Sequence, residues 1–545
     1  MRRPELRLPR GLRDLPPEEM AKFSYVEGKI RRVLELYGFQ EVRTPIFERF
    51  DLFALRSGEE IRSRMFVFTT DEGEMALRPE ITASIARMVA SGKLDLSKKP
   101  LKIYYIGPCY RYDEPQAGRY REFWQAGVEL IGSSRPEADA EVIRLAVRVL
   151  EEFGLKGYVL RVGDMSIIRS FLRGKGVPEE AINRIAGLLD ILTSSLEKLE
   201  IYRGKLSKAG SGRPLGPDEL SDLVRRCDEV RAWKEEELLK MDSGESPIPS
   251  SYGPLLEPDP RVYMIRELYK EGRFGELGDL IARKEEELKT MFKLRWAYYG
   301  IEYGRGERYK MPEDVFEDLM ALMRISGPPE EAVEALEKLL GTSGEVGEAV
   351  GNFRAILEAL SWFGVKDFSV NMSIVRGLEY YTGMVFEIDF PLLGAQKQVC
   401  GGGRYDKLVE EFGGPSVPAV GFAFGIDRLV LALEKSGAEL PVRPRCEVYV
   451  VPVSDEVLPY AIRVAEEFRS RGLKTEVSLL RKKLREELST ADRLGALFAV
   501  IIGPREAEEG KITLRDMRAR SQELLELEEA LRLVRERLSG GRDGA

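Results

Sequence analysis

Two runs rich in β-branched and aromatic residues, LKIYYIGPCYRYD (101–113) and EFWQAGVELIG (122–132), flank one polar loop, EPQAGRYR (114–121). Such runs joined by a short loop read as a long antiparallel hairpin. A sheet built around it, with helical segments before and after, belongs to the α+β class. The helical segments are 17–37, with Pro16 and Pro17 at its start and Gly38 beyond its end, and 136–154. Between them FQEVRTPIFER (39–49) is strand-like but holds Pro45. Proline cannot donate to a ladder, so an edge or interface strand is expected. From 166 to 345 charged helical patterns dominate, broken by SKAGSGRPLGPDE and DSGESPIPSSYGPLLEPDP. This reads as a helical insertion with mobile loops. Strand patterns return at 367–390, followed by a Gly-rich turn (CGGGRYD, 400–406), a strand (418–425) and a helix (426–437).

The Pro-rich junction PVRPR (441–445) opens a separate tail. Short apolar strands at 446–453, 473–479 and 498–503 alternate with helical stretches at 455–471, 481–495 and 520–538. Alternation of this kind predicts a small open α/β sheet. No internal repeat is visible, and no apolar run is long enough for a membrane span. The start, MRRPELRLPRGLRD, lacks an apolar h-region, so no signal peptide is expected.

Composition narrows the chemistry. The 545 residues include no histidine, which excludes His-ligated metal, Ser-His-Asp triads and imidazole proton shuttles. Four scattered cysteines (Cys109, Cys227, Cys400, Cys446) form no C-x-x-C pair and suit a reducing, cytoplasmic setting without zinc. Cys109 and Cys400 read as small buried hydrophobes. Few Asn and Gln beside abundant Glu, Lys and Arg suit a heat-adapted protein. Net charge is −8 overall, yet residues 443–545 carry 20 Lys+Arg against 19 Asp+Glu. That slight asymmetry points the tail towards RNA, with Arg481, Lys482, Lys483 and Arg485 as candidate phosphate contacts. A solvated helix face is the plainer account of that run.

Four segments concentrate Arg, Glu, Gln and Tyr beside Gly: LRPEIT (77–82), YRYDEPQAGRYREFWQAGVE (110–129), VRGLEYYTG (375–383) and FGIDRL (424–429). An arginine on a strand must be paired or face a ligand, and Arg111, Arg121 and Arg376 fit that description. Arg428 opens a helix after a Gly-containing strand end, where a helix N-terminus and a guanidinium together favour an anion. No G-x-x-x-x-G-K-[ST] occurs, so the chain is no P-loop enzyme. Convergent arginines instead suggest a polyphosphate or carboxylate bound by side-chain forks. A structural salt bridge accounts for any one such arginine, and GGGR alone is a weak pattern. Joint occurrence in a fixed order changes the balance.

Taken together, PRGLRD near the start, LRPE-x-T, the GRYREFWQAGVE block, RGLEYYTG, GGGRYD and VGFAFGIDRL resemble the histidyl-tRNA synthetases, class II aminoacyl-tRNA synthetases, and most closely their archaeal/eukaryotic type. The resemblance covers roughly 8–165, 350–435 and 446–540, while the insertion matches by position only. It implies a class II antiparallel-sheet catalytic domain (1–165 and 346–440) split by a helical insertion (166–345), plus a C-terminal α/β anticodon-binding domain (446–545). It implies ATP-dependent ligation of L-histidine to tRNA(His) through a histidyl-adenylate, a step in protein biosynthesis. ATP would come with Mg2+ as counter-ion, with no zinc, haem or flavin. Helix 17–37 and the Pro45 strand match the first class II motif, which implies a homodimer.

The same resemblance assigns residues. Arg111 would hold the α-phosphate and Arg428 the γ-phosphate. Arg376 would bridge the substrate carboxylate and α-phosphate. Arg119 and Arg121 would cover ATP, with Gln116 in the same loop near the tRNA acceptor end. Asp113 stands where the family commonly has Glu near the adenine, and Trp124 replaces a histidine common in bacterial members. Glu80, Thr82 and Gln125 would hold the α-ammonium. Glu129 and Tyr381 would hydrogen-bond the two imidazole nitrogens, with Tyr380 and Tyr405 walling the pocket. Two rivals share the fold: a histidine-sensing regulatory paralogue, and a module sensing uncharged tRNA. Such paralogues typically lack the C-terminal domain and lose catalytic arginines, and this chain has both.

Overall fold

The computed structural model describes residues 6–57, 62, 64–115, 118–207, 215–257, 259–304, 306–374, 380–438, 440, 446–480 and 482–539. Gln116, Arg376 and Arg481 lie outside the described residues. The chain forms two compact units, Met1–Leu440 and Pro441–Ala545. Among the described residues, no helix is long and apolar enough to cross a membrane.

The first unit is organised on a nine-stranded sheet. Its spatial order is Gln40–Glu41, Leu101–Tyr110, Glu122–Ile131, Ala419–Gly425, Gln398–Arg404, Met384–Asp389, Val159–Asp164, Ser369–Asn371 and Ser326–Gly327. The expected hairpin is there, with Leu101 opposite Ile131 and Tyr110 opposite Glu122. Pairing from it through to Val159–Asp164 is antiparallel. Successive side chains alternate between faces. Tyr104, Val128, Leu130, Phe422, Phe424 and Phe386 fall on one face and enter the main core. Helices Pro17–Leu36, Pro136–Glu152 and Ile426–Lys435 cover that face with residues such as Phe23, Val26, Ile30 and Val33, spaced three or four apart. The opposite face is left for the site.

Two sequence expectations change here. FQEVRTPIFER is not one strand. Gln40–Glu41 is the edge of the large sheet, and Phe47–Arg49 joins a separate three-stranded sheet with Gly73–Leu77 and Val67–Thr70. Pro45 sits between them, where no ladder donor is required. CGGGRYD is not a turn. Gln398–Arg404 is a central strand, paired on both sides, and its glycines serve close packing rather than chain reversal.

Residues 166–345 are chiefly helical, as the charged helical patterns there predict, with long helices Glu179–Ser207, Pro217–Asp242 and Phe274–Leu294. They bury Leu199, Leu223, Cys227, Leu277 and Ile281 in a core of their own. Helix Gly344–Trp362 returns the chain to pack on Pro136–Glu152.

The second unit is a five-stranded sheet, ordered Thr475–Val477, Val448–Pro452, Phe498–Ile502, Lys511–Asp516 and Gln522–Glu526. The first three strands are parallel and match the expected ones. The last two form an antiparallel hairpin that the sequence reading missed, so the final helix starts at Leu527 rather than 520. The Asp516 carboxylate makes this reversal, accepting from the N–H groups of Arg518 (2.9 Å) and Ala519 (2.8 Å). Arg520 then adopts φ +54°.

Candidate active site

Glycines make the floor of the site. On the open face, Glu129 lies opposite Gly421 and Gly421 opposite Gly403, while Gly127 lies opposite Ala423 and Ala423 opposite Gly401. A Cβ on Gly421 would come 1.9 Å from Glu129 Oε2 and 2.3 Å from the Val128 carbonyl oxygen. One on Gly403 would come 2.9 Å from the Tyr381 ring, and one on Gly127 would come 2.5 Å from the Tyr105 hydroxyl. Side chains from neighbouring strands can therefore lie flat over the sheet only because these positions have none.

Over that floor sits an acidic, aromatic pocket. Glu129 is almost fully buried. Its Oε1 accepts from the Thr82 hydroxyl at 2.7 Å and the Tyr105 hydroxyl at 3.3 Å, and its Oε2 accepts from the Tyr405 hydroxyl. Burial outweighs these donors and lifts the Glu129 carboxyl to about 8. Glu80 precedes helix Thr82–Ala90 and accepts the Ala83 N–H at 2.9 Å through Oε1. Its Oε2 is buried without a hydrogen-bond partner among the described residues, and burial raises its carboxyl too. A buried carboxylate oxygen in that state is a vacant acceptor for a cationic group. Tyr380 packs edge-on against Tyr381 at 5.1 Å and against Tyr405 at 5.7 Å. The Tyr381 carbonyl accepts from Arg169 Nε at 3.3 Å. Gln125 accepts from the Cys109 thiol at 3.2 Å. Burial pushes that thiol up to about 12, which keeps it an inert packing group.

A cationic cluster adjoins the pocket. Arg428 points all its engaged donors at neutral acceptors: the Gly118 carbonyl (3.0 Å), the Gln398 carbonyl (2.9 Å) and Gln396 Oε1 (3.0 Å). Burial, with the nearby charges of Arg119 and Arg111, lowers its guanidinium to about 10. Arg111 donates to the Pro79 carbonyl at 2.9 Å and lies 5.1 Å from the Phe123 ring centroid. A half-buried guanidinium set beside like charges, and hydrogen-bonded only to neutral groups, gains when an anion joins it. Arg119 is paired with Asp113 (2.9 Å), which also faces Arg64 at 3.7 Å. Arg121 stacks on the Tyr112 ring at 3.9 Å.

Arg111 and Arg121 do not lie within strands. They flank the two strand ends, joined by the Arg111 N–H to Arg121 carbonyl bond of 2.9 Å. Arg404 is the strand arginine with the mundane explanation. It sits on the helix-covered face in a buried 2.6 Å ion pair with Asp139. The sequence reading also missed Tyr105, the third hydroxyl on Glu129. Strand alternation could have found it, since Tyr105 lies opposite Gly127 and shares the face of Glu129.

In the second unit, Lys482, Lys483 and Arg485 are exposed beside Leu479 (83% exposed) and Leu480 (76% exposed). Buried Glu487 anchors this loop by accepting from the Lys482 N–H (2.6 Å), the Ser478 hydroxyl (2.8 Å) and the Tyr449 hydroxyl (2.9 Å).

The family model for histidyl-tRNA synthetase matches residues 11–197 and 282–429, and that for an anticodon binding domain matches 447–537. The chain belongs to the histidyl-tRNA synthetase family. The histidine–tRNA ligase of Pyrococcus abyssi is 33% identical over 532 residues, covering 97% of this chain and 99% of that protein. The enzyme of the same name from Methanocaldococcus jannaschii is 33% identical over 525 residues, covering 96% and 97%. Histidyl-tRNA synthetase from Nostoc sp. PCC 7120 shares the fold with TM-score 0.63 at 21% identity, covering 98% of this chain and 100% of that one. A Bacillus halodurans protein described as an ATP phosphoribosyltransferase regulatory subunit/histidyl-tRNA synthetase shares it with TM-score 0.57 at 22% identity, covering 92% and 100%. The fold is thus the class II synthetase fold with an anticodon-binding domain, and it does not by itself separate an enzyme from a sensor.

Proposed function

We propose that the acidic pocket takes the histidine substrate and the arginine cluster takes ATP, each with the residues named below. The activity itself follows from family membership. The chain ligates L-histidine to tRNA(His) with ATP, through a histidyl-adenylate.

In the first step the substrate carboxylate attacks the α-phosphorus and releases pyrophosphate. The nucleophile is already an anion, so no strong base is required. The protein has to bring two anions together and stabilise charge on a five-coordinate phosphorus. Arg111 holds the α-phosphate and Arg428 the γ-phosphate, using the guanidinium N–H groups left over from its three neutral acceptors. Arg119 and Arg121 close over the nucleotide, with Asp113 setting Arg119. Arg376 bridges the substrate carboxylate and the α-phosphate. Mg2+ arrives as counter-ion of the ATP. In the second step the terminal ribose hydroxyl of tRNA attacks the adenylate carbonyl, with Gln116 near the acceptor end.

The α-ammonium of histidine is held at Glu80 Oε2, with Thr82 and Gln125 beside it. Glu129 and Tyr381 read the ring nitrogens, and Tyr380 and Tyr405 wall the ring. Burial holds the Glu129 carboxyl above the ordinary carboxylate range, and an imidazole N–H or imidazolium placed beside it favours its carboxylate form. An apolar isostere would leave the hydroxyls and carboxyl of this pocket unpaired, which is what rejects it.

The observation that carries this reading is Arg428, half-buried and hydrogen-bonded only to neutral acceptors beside two more arginines. A histidine sensor without catalysis would have no use for that cluster. Histidine-dependent ATP–pyrophosphate exchange, measured with each amino acid in turn, tests it. Exchange with histidine alone is expected, and no exchange would defeat the enzyme reading. Arg376→Ala should depress adenylate formation by roughly 100-fold or more, the scale of losing one transition-state donor. Near-normal exchange would remove Arg376 from its role.

The proposed domains are 1–165 with 346–440 for catalysis, 166–345 as the insertion and 446–545 for the anticodon. Lys482, Lys483 and Arg485, with Arg481, make the tRNA contact in the last. Exposed Ile46, Phe47 and Phe68, with the two phenylalanine rings edge to face at 5.8 Å, support a homodimer through the three-stranded sheet. A cytoplasmic setting accords with four scattered cysteines that make no C-x-x-C pair.

A further inference from the structure

We propose that Arg10–Arg13 is a strap that holds the ATP-covering loop in its working position, with Arg13 as the positioning residue. This rests on the reading of Arg119 and Arg121 as nucleotide contacts.

The strap meets both arms of the loop. The Gly11 carbonyl accepts the Arg121 N–H at 2.9 Å. Gly11 adopts φ +84°, and a Cβ there would stand 2.8 Å from Arg121 Cγ and 2.8 Å from Pro115 Cγ. Two independent constraints, conformation and space, therefore require glycine at this turn. Arg10 pairs with Glu114, but both are well exposed and contribute little.

Arg13 does more. Its guanidinium lies 3.9 Å from the centroid of the Tyr120 ring, the residue between Arg119 and Arg121. It also donates to Asp427 Oδ1. Asp427 is buried, and its other oxygen accepts the Trp124 N–H at 2.8 Å. One guanidinium thus joins the N-terminal segment, the loop and the first turn of helix Ile426–Lys435. Asp427 immediately precedes Arg428, which itself holds the loop at the Gly118 carbonyl. Occupied by Arg13, the Asp427 carboxylate is satisfied and does not draw Arg428 away from an incoming phosphate. Remove Arg13, and the loop loses its hold at Tyr120 while a buried carboxylate is left next to the γ-phosphate arginine.

The test is histidine-dependent ATP–pyrophosphate exchange by the full chain, with ATP and histidine titrated separately. Arg13→Ala should raise KM for ATP by about tenfold or more while KM for histidine stays within about twofold. Arg13→Lys keeps a charge on Asp427 but loses the planar stack on Tyr120, so an intermediate rise is expected. Gly11→Ala reaches the loop independently of Arg13, through Arg121 and Pro115, and should give the same selective rise. It decides the matter if Arg13→Ala does not fold. Parallel rises in both KM values with a lowered thermal midpoint would mean a merely structural role and overturn the strap. Arg119→Ala separates the two layers of inference. No change in its KM for ATP defeats the nucleotide reading, whereas a rise there with none in Arg13→Ala or Gly11→Ala defeats the strap alone.

Discussion

Replacing Glu129 by Gln should stabilise the first unit at alkaline pH while ruining histidine use. The Glu129 carboxyl is fully buried and held at about 8, against 4.5 for an ordinary glutamate. The folded state therefore keeps a proton that the unfolded chain releases. This contribution to stability is complete below about pH 4.5 and declines as pH rises through 8. At about 1.4 kcal/mol for each tenfold gain in proton affinity, the full loss is on the order of 5 kcal/mol. Roughly 2 kcal/mol of it is gone by pH 6, and about 2.5 kcal/mol more goes between pH 6 and 9. Gln cannot ionise and loses none of it. Its carbonyl can still accept from Thr82 and Tyr105, and its amide can donate to the Tyr405 hydroxyl, so the pocket stays satisfied. Asp139 and Asp164, held at about 6 and about 7, titrate in the same range but are common to both proteins and cancel. Urea unfolding of the wild type and Glu129→Gln at pH 6 and pH 9 measures the difference. The advantage of the variant should grow by about 2–3 kcal/mol from the lower to the higher pH. KM for histidine should rise about 10- to 100-fold, the worth of one charge-assisted hydrogen bond. A pH-independent stability difference would refute the burial argument, and a KM for histidine within threefold of wild type would refute the role of Glu129.

Gly421→Ala places a methyl 1.9 Å from Glu129 Oε2 and 2.3 Å from a backbone oxygen, so the carboxylate has to move. kcat/KM for histidine should fall by about 100-fold, and exchange kinetics within a few-fold of wild type would show that the glycine floor does not shape the pocket. Glu487→Ala removes the acceptor that gathers Lys482, Ser478 and Tyr449. It should raise KM for tRNA about tenfold with ATP–pyrophosphate exchange unchanged, and an unaltered KM for tRNA would remove that loop from the RNA surface.

What the sequence displayed was alternation and local order. The 101–131 hairpin, the helix from Pro17 and the three parallel strands of the tail are each legible because a period and a terminator coincide in one stretch. Glycine hid the rest. In GGGR the residues carry no side chain to alternate, so a central strand reads like a turn, and only its neighbours reveal why nothing larger fits. The hairpin 511–526 was hidden differently, because its reversal depends on the Asp516 carboxylate capping two N–H groups rather than on Gly or Pro. At the site, residue types were legible and partnerships were not. Arg404 and Arg428 look alike in sequence, yet one meets the carboxylate of Asp139 from a distant helix and the other meets only neutral acceptors. The arms that bind Arg13 to Asp427 span most of the unit, and no local pattern encodes them.

Charge separation along one sheet face explains how the proposed chemistry can run in a chain without histidine. Glu80 and Glu129 form an acidic end, held in apolar surroundings that resist ionisation. Arg111, Arg119 and Arg428 form a basic end whose mutual repulsion Asp113 and Asp427 offset only in part. A zwitterionic amino acid laid across this gradient is favoured in one direction, its ammonium at Glu80 and its carboxylate toward the arginines. In the proposed reading the same field that orients the nucleophile would also collect the triphosphate, bringing the attacking oxygen and the α-phosphorus to the boundary between the two ends. Activation by proton removal would add nothing, since the attacking group enters already deprotonated. The cost of the arrangement falls on the unliganded protein, which has to hold carboxyls in apolar surroundings and guanidiniums beside one another, and in the proposed reading it is recovered when substrates of opposite sign fill each end.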